Sequence, residues 1–162
     1  TVAISQLTYS IKLIIDNPSE LSNVIEFAKV AKDPVKATCI EAIEFATKAK
    51  PNIATEECFH FVTKCLTDKA PRIKWESAKV IGNVAQLFSN KLDKAIANLL
   101  ANAEHEGTVV RWSAAFALGE ILKQQTKHNK ELVPAVEVIC SNEEKNSIKK
   151  IYLAALKKLN KP

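Results

Sequence analysis

Val110-Arg-Trp-Ser-Ala-Ala-Phe-Ala-Leu118 decides the fold, because three other stretches match it column by column. They are Val35-Lys-Ala-Thr-Cys-Ile-Glu-Ala-Ile43, Ile73-Lys-Trp-Glu-Ser-Ala-Lys-Val-Ile81 and Ile148-Lys-Lys-Ile-Tyr-Leu-Ala-Ala-Leu156, with starts 38, 37 and 38 residues apart. The first column is apolar in every copy (Val35, Ile73, Val110, Ile148) and the second is basic (Lys36, Lys74, Arg111, Lys149). Further apolar columns follow at Ala42, Val80, Ala117, Ala155 and at Ile43, Ile81, Leu118, Leu156. Counted from the first column as offset 0, the apolar positions fall at offsets 0, 7, 8 and 11. At about 100° per residue they share one side of a helix. We call these four the B helices. Pro34 and Pro71 stand near their starts, where a missing N–H costs little.

Between them lie shorter amphipathic stretches, the A helices, expected at Ser19–Ala31, Ala54–Leu66, Lys91–Ala103 and about Leu132–Cys140. Pro134 limits the start of the last or kinks its first turn. A further helix is expected over Val2–Ile15, as the remnant of a preceding repeat. One A–B hairpin cannot bury its apolar stripe alone, so neighbours must stack into a continuous core. The expectation is a single domain over 1–162, with an N-terminal helix or partial repeat at 1–18 and repeats of about 19–50, 51–89, 90–127 and 128–162.

Composition agrees. Of 162 residues, 47% are apolar and 25% charged, enough for a core without metals or disulfides. Three glycines and six prolines supply too little turn chemistry for a sandwich or barrel of short strands. Lysine and arginine total 23 against 18 acids, a net charge of +5 that favours solubility and does not by itself indicate a nucleic-acid surface. The four cysteines show no CxxC spacing and lie in apolar helical stretches, as buried thiols of a reducing, cytoplasmic compartment would. The apolar runs Ile11–Ile15 and Val133–Cys140 are broken by Lys12 and Glu137 and are too short to span a membrane. No charged segment followed by a clean apolar run marks a secretory leader. Methionine is absent even at position 1, as in a fragment of a longer chain.

The third copy, extended to Val110-Arg-Trp-Ser-Ala-Ala-Phe-Ala-Leu-Gly-Glu-Ile121, resembles the Val-Arg-x-x-Ala-x-x-Ala-Leu-Gly pattern of HEAT repeats. The resemblance runs from about Ser19 to Leu159 and weakens in the first and last copies, where Glu44 and Lys157 replace the glycine. It implies an all-α, right-handed α-α superhelix of about four armadillo-type hairpins, its concave face lined by B helices. By that resemblance the basic column pairs with an acid in an adjacent loop, for which Asp33, Asp68, Glu106 and Glu143 are candidates.

Residues opposite the apolar stripe, at offsets 2, 6 and 9, are read as doing no folding work. They include Trp75, Lys79 and Gly82 in the second copy and Trp112, Phe116 and Gly119 in the third. Two readings stay open for the aromatics. They form a recognition patch, or they pack over the neighbouring B helix, with Ala78, Gly82, Ala115 and Gly119 receiving them. The patch reading implies a non-catalytic scaffold for a protein or peptide, anchored by Trp75, Trp112 and Phe116, with Lys74, Lys79, Arg111 and Lys150 as rim charge.

The alternative is nucleic-acid binding. HEAT-like alkylpurine DNA glycosylases are similar in their tryptophans and basic residues, but Lys79 and Phe116 stand one turn after the tryptophans where a carboxylate is needed. HEAT-like bilin lyases are similarly compact, and nothing here favours a tetrapyrrole. Catalytic chemistry is thin. No P-loop, GxGxxG, GxSxG or HExxH occurs, so neither a catalytic residue nor a cofactor is expected. Glu76 and Glu120 near the tryptophans read as ordinary solvated helix-surface acids. Cys58, His60 and Cys65 are the nearest approach to a metal set, with His60 on the other side of its helix.

Overall fold

A computed structural model describes residues 2–159, with side chains from residue 5. Among the described residues there are nine α-helices and no strand. They are α1 (Val2–Asp16), α2 (Glu20–Val30), α3 (Asp33–Ala49), α4 (Glu56–Cys65), α5 (Pro71–Val84), α6 (Asp93–Asn102), α7 (Thr108–Leu122), α8 (Asn129–Asn142) and α9 (Asn146–Leu159). The B helices are α3, α5, α7 and α9, and each packs on the next. α1 packs on α3 in the same way and extends that layer. The A helices α2, α4, α6 and α8 each lie against the B helix that follows.

Local chemistry sets the ends. Pro34 and Pro71 fall in the first two positions of α3 and α5, where the helix has no use for their missing N–H. The Thr55 hydroxyl accepts from the Cys58 amide at 3.2 Å and caps α4. α8 starts at Asn129 and carries Pro134 in its interior, so that proline does not delay the helix start.

The A helices repeat as strictly as the B helices. Leu21, Cys58, Ala95 and Leu132 are spaced 37 residues apart and all are buried, as are Ile25, Val62, Leu99 and Val136. Full burial of each Leu or Ile contributes about 1.5–3 kcal/mol before entropy is counted. In the B layer, α7 sits between α5 and α9 with α6 behind it, and it buries Val110, Ser113, Ala114, Ala115, Ala117, Leu118, Gly119, Ile121 and Leu122. α9 has a B-layer neighbour on one side and buries only Ile148, Tyr152 and Ala155.

Two sequence expectations are corrected. Offsets 2, 6 and 9 are not a face free of folding work. Ala37, Glu44 and Gly119 are buried there, because a stacked B helix is flanked by B helices on both sides. Val35, in the apolar first column, is exposed, whereas Ile73, Val110 and Ile148 are buried.

The basic column is built into the stack. Lys36 Nζ lies 2.9 Å from Asp68 Oδ2, and Arg111 Nε lies 3.0 Å from Glu143 Oε2. Each cation reaches from one repeat to the turn that precedes the next B helix. Asp68 and Glu143 also accept from the backbone amides of Ala70 and Lys145. Burial works against charge on both carboxyls. The hydrogen bonds from Lys36, Arg111 and those amides outweigh it and hold both below the ordinary range. Asp33 and Glu106 do not take the expected part: Lys36 turns to Asp68, and Glu106 offers Arg111 only its backbone carbonyl. Lys74 has no acid. It reaches the Leu66 carbonyl and Asn102 Oδ1, at 3.3 and 3.4 Å.

Candidate functional site

The aromatic residues on α5 and α7 divide between the two readings left open. Phe116 is half-buried and its ring rests on Gly82 of α5, so closely that a Cβ at Gly82 would overlap it. Gly82 is required for this close approach of α7 to α5. Trp112, one turn earlier, stacks on Phe116 with ring centroids 6.1 Å apart and planes 13° from parallel. Trp112 is 40% exposed. Phe116 is therefore the seat and Trp112 the open shelf; Val109, three residues before Trp112 on α7 and passed over by the sequence reading, is exposed as well.

Trp75 belongs to a different construction. Its indole N–H donates to Glu76 Oε1 at 2.9 Å. Glu76 is buried, and its other oxygen lies 2.9 Å from Lys79 Nζ. The same ammonium is 3.9 Å from Glu44 of α3, also buried. Asn83 closes the junction, donating to the Glu44 carbonyl and to the Thr47 hydroxyl at 3.1 and 3.2 Å. One cation thus serves two buried carboxylates. Burial pushes the Glu44 carboxyl above its ordinary value, with Lys79 pulling the other way and Glu76 adding to the rise. Glu76 is not the solvated surface acid read from the sequence. It is committed to Trp75 and Lys79.

The other expected contact residues are scattered. Arg111 and Lys74 turn away from the aromatics toward the A–B turns, as described above. Lys150 is exposed on α9, at the register position of Trp112. On the same face Arg72 pairs with Glu41 at 2.5 Å and Lys123 pairs with Glu120. The structure therefore brings Trp75 together with Lys79 and Trp112 with Phe116. It leaves Lys150 apart and puts Lys74 and Arg111 to internal use. Glu41 and Glu44 fall at offsets 6 and 9 of the first copy and were placed on this face by the sequence; Arg72 and Asn83 were not.

Cys58 and Cys65 are buried and His60 is exposed. Burial pushes the Cys58 thiol up to about 12, far from a reactive thiolate. Among the described residues no group of three His, Cys, Asp or Glu is placed to hold a metal ion, and no helix is long and apolar enough to cross a membrane.

Solved structures similar to this one include designed armadillo repeat proteins. A designed armadillo repeat protein in complex with the peptide (KR)4 superposes with a TM-score of 0.76 at 19% identity, over 93% of this chain and 68% of that one. The fold is an armadillo/HEAT-like repeat solenoid. A second designed armadillo repeat protein gives a TM-score of 0.70 at 18% identity, covering 86% of this chain and 64% of its own. A third, computationally designed for modular peptide recognition, gives 0.71 at 19%, covering 85% and 63%. The solenoid spans about two thirds of the length of these proteins. No protein-family model and no curated protein matches the sequence.

Proposed function

We propose that this solenoid is a non-catalytic scaffold that binds an extended peptide segment across its B helices, with Trp112 on Phe116 as the anchor. The observation that carries this reading is the exposed indole held parallel to a ring that is itself fixed on Gly82. A rigid aromatic shelf offers contact area without the entropic cost of ordering it on binding. That designed armadillo proteins of the same fold recognise peptides supports it.

The charges on this face suggest what the peptide carries. Arg72, Lys79 and Lys123 are matched by Glu41, Glu76 and Glu120 within the protein. Lys150, Lys157 and Lys158 of α9 have no ion-pair partner among the described residues, and α9 contains no acid. A segment with an aromatic or leucine over Trp112 and aspartates or glutamates toward α9 satisfies both features. Phe116 on Gly82 is the seat, Trp75 and Lys79 belong to the charged junction beside it, Lys150 is the charge that reaches the ligand, and Lys74 and Arg111 brace the repeats.

The test is a tryptophan-emission titration with two labelled peptides, one aromatic and acidic, the other (KR)4. Saturable binding of the first that weakens at least tenfold in Trp112→Ala supports the reading. Equal affinity of wild type and Trp112→Ala sinks it. The acid-free α9 also favours a second reading, binding of a nucleic-acid backbone. It predicts that a short DNA duplex binds at low salt and is released steeply as salt rises.

A further inference from the structure

Trp75 and Trp112 occupy the same register position on successive B helices, and their indoles are used differently. The residue after Trp75 is Glu76, which is buried and accepts the indole N–H at 2.9 Å. The residue after Trp112 is Ser113. Its side chain is buried, its hydroxyl meets no partner, and it is too short to serve as Glu76 does. Among the described residues the Trp112 indole N–H therefore has no acceptor, while its ring is held on Phe116. Trp75 is half-buried and offers a ligand only ring surface. Trp112 is exposed and offers ring surface together with a donor, both held in one orientation by the stack.

The surroundings decide which acceptor suits that donor. Every cation of α5 and α7 is committed within the protein: Arg72 to Glu41, Lys79 to Glu76, Arg111 to Glu143, and Lys74 to the Leu66 carbonyl and Asn102. Lys123, just beyond α7, is held by Glu120. A carboxylate at the edge of Trp112 would find no uncommitted cation on either helix to offset its lost hydration. A neutral amide carbonyl needs one donor and no counter-charge, and a peptide presents one at every residue.

We propose, on the basis of peptide binding at this shelf, that the Trp112 indole N–H donates to a main-chain carbonyl of the bound peptide, beside the side chain that covers the ring. The ring selects an aromatic or leucine side chain, and the N–H fixes the register of the chain that carries it. Such a site separates a peptide from a bare apolar ligand of the same shape. Trp75, at the equivalent position, makes no such bond, because Glu76 already holds its N–H.

The test replaces Trp112 with β-(3-benzothienyl)alanine, which keeps the shape of the double ring and puts sulfur in place of the N–H. This variant is expected to melt as wild type does and to bind the labelled aromatic, acidic peptide about fivefold more weakly, the scale of one neutral hydrogen bond. In the isotope-labelled wild type, the peptide should move the Trp112 indole proton downfield and leave that of Trp75 in place. Wild-type affinity in the sulfur variant overturns the proposal, as does a Trp112 indole proton that the peptide does not move. Either result leaves peptide binding at the shelf standing, provided Trp112→Ala still weakens it tenfold. If wild type does not bind the peptide, or Trp112→Ala binds it equally well, the peptide reading fails and the proposed hydrogen bond fails with it.

Discussion

Helix α5 meets its two B-layer neighbours in opposite ways. Toward α3 the contact is polar, with Lys79 placed between Glu76 and Glu44 and Asn83 bonded across the gap. Toward α7 it is apolar, with the Phe116 ring seated on Gly82. Both junctions use the same offsets of the same repeat. Offset 9 is Glu44 on α3 and Gly82 on α5. A glycine there admits a ring and leaves an aromatic shelf above it. A glutamate there requires a cation and produces a buried, charged seam. The solenoid geometry is therefore indifferent to the chemistry at offset 9, and that chemistry decides which part of the face can accept a ligand.

The seam is the more fragile of the two. Lys79→Met removes the one cation serving two buried carboxylates, and removing one partner from a buried pair is costly. We expect a loss of about 3 kcal/mol at pH 7, read from denaturant unfolding. The cost should shrink at pH 4.5. Without Lys79 the buried Glu44 carboxyl loses the attraction that opposes its burial, and its neutral form is favoured further in the folded state. That form's stabilisation is fully present below the ordinary carboxyl range and disappears as pH rises through the folded value. An equal loss at both pH values would show that Lys79 acts through packing of its stem instead.

Gly82→Val tests the other junction. A branched side chain at Gly82 must push the Phe116 ring out of its seat. The ring is half-buried and can tilt toward solvent, so we expect about 2 kcal/mol, within the usual range for overpacking. Trp112 emission should change with it, because the stack loses its base. A Gly82→Val protein of unaltered stability and emission would contradict the close approach of α5 and α7.

The difference between the junctions also marks what could be read beforehand. The B helices were legible because their columns repeat in kind: Val, Ile, Val, Ile at offset 0 and Lys, Lys, Arg, Lys at offset 1. The A column Leu21, Cys58, Ala95, Leu132 is as regular in space, yet four residues of differing size and type do not announce a repeat. The aromatics were legible as a cluster. Their division into seat and shelf was not, because periodicity treats a helix as having one buried stripe, and a stacked helix is covered on three sides. The seam was missed for a related reason. Glu44 and Glu76 come from different repeats and meet only when α3 lies on α5. The one hint within the chain was Lys79 three residues after Glu76, a spacing that also describes an ordinary solvated pair.

Glu44→Gln sharpens the electrostatic half of the comparison with a smaller effect of opposite sign. Burial raises the Glu44 carboxyl above its ordinary value of 4.5, so the ionised form costs stability at neutral pH. Glutamine keeps the shape and removes that cost. The variant should be more stable than wild type by about 1 kcal/mol at pH 7, with the advantage fading as pH falls through the raised Glu44 titration into the ordinary carboxyl range. Asp68 and Glu143 titrate in both proteins and cancel in the difference. A destabilised variant would mean that the attraction of Lys79 for Glu44 exceeds the burial cost.

The smallest expected effect on stability is also the one most tied to function. Trp112→Ala removes a 40% exposed indole and one stacking contact but leaves Phe116 on Gly82. The loss should stay below about 1 kcal/mol, the scale of a single aromatic pair. Phe116→Ala empties the seat and should cost roughly 2 kcal/mol more, toward the lower end for truncating a phenylalanine because the ring is only half-buried. A binding shelf predicts this split: Trp112→Ala abolishes capture of the aromatic, acidic peptide in a protein that melts almost as wild type does. If instead the two variants lose stability equally, Trp112 is packing like Phe116, and the exposed ring has no claim to be the anchor.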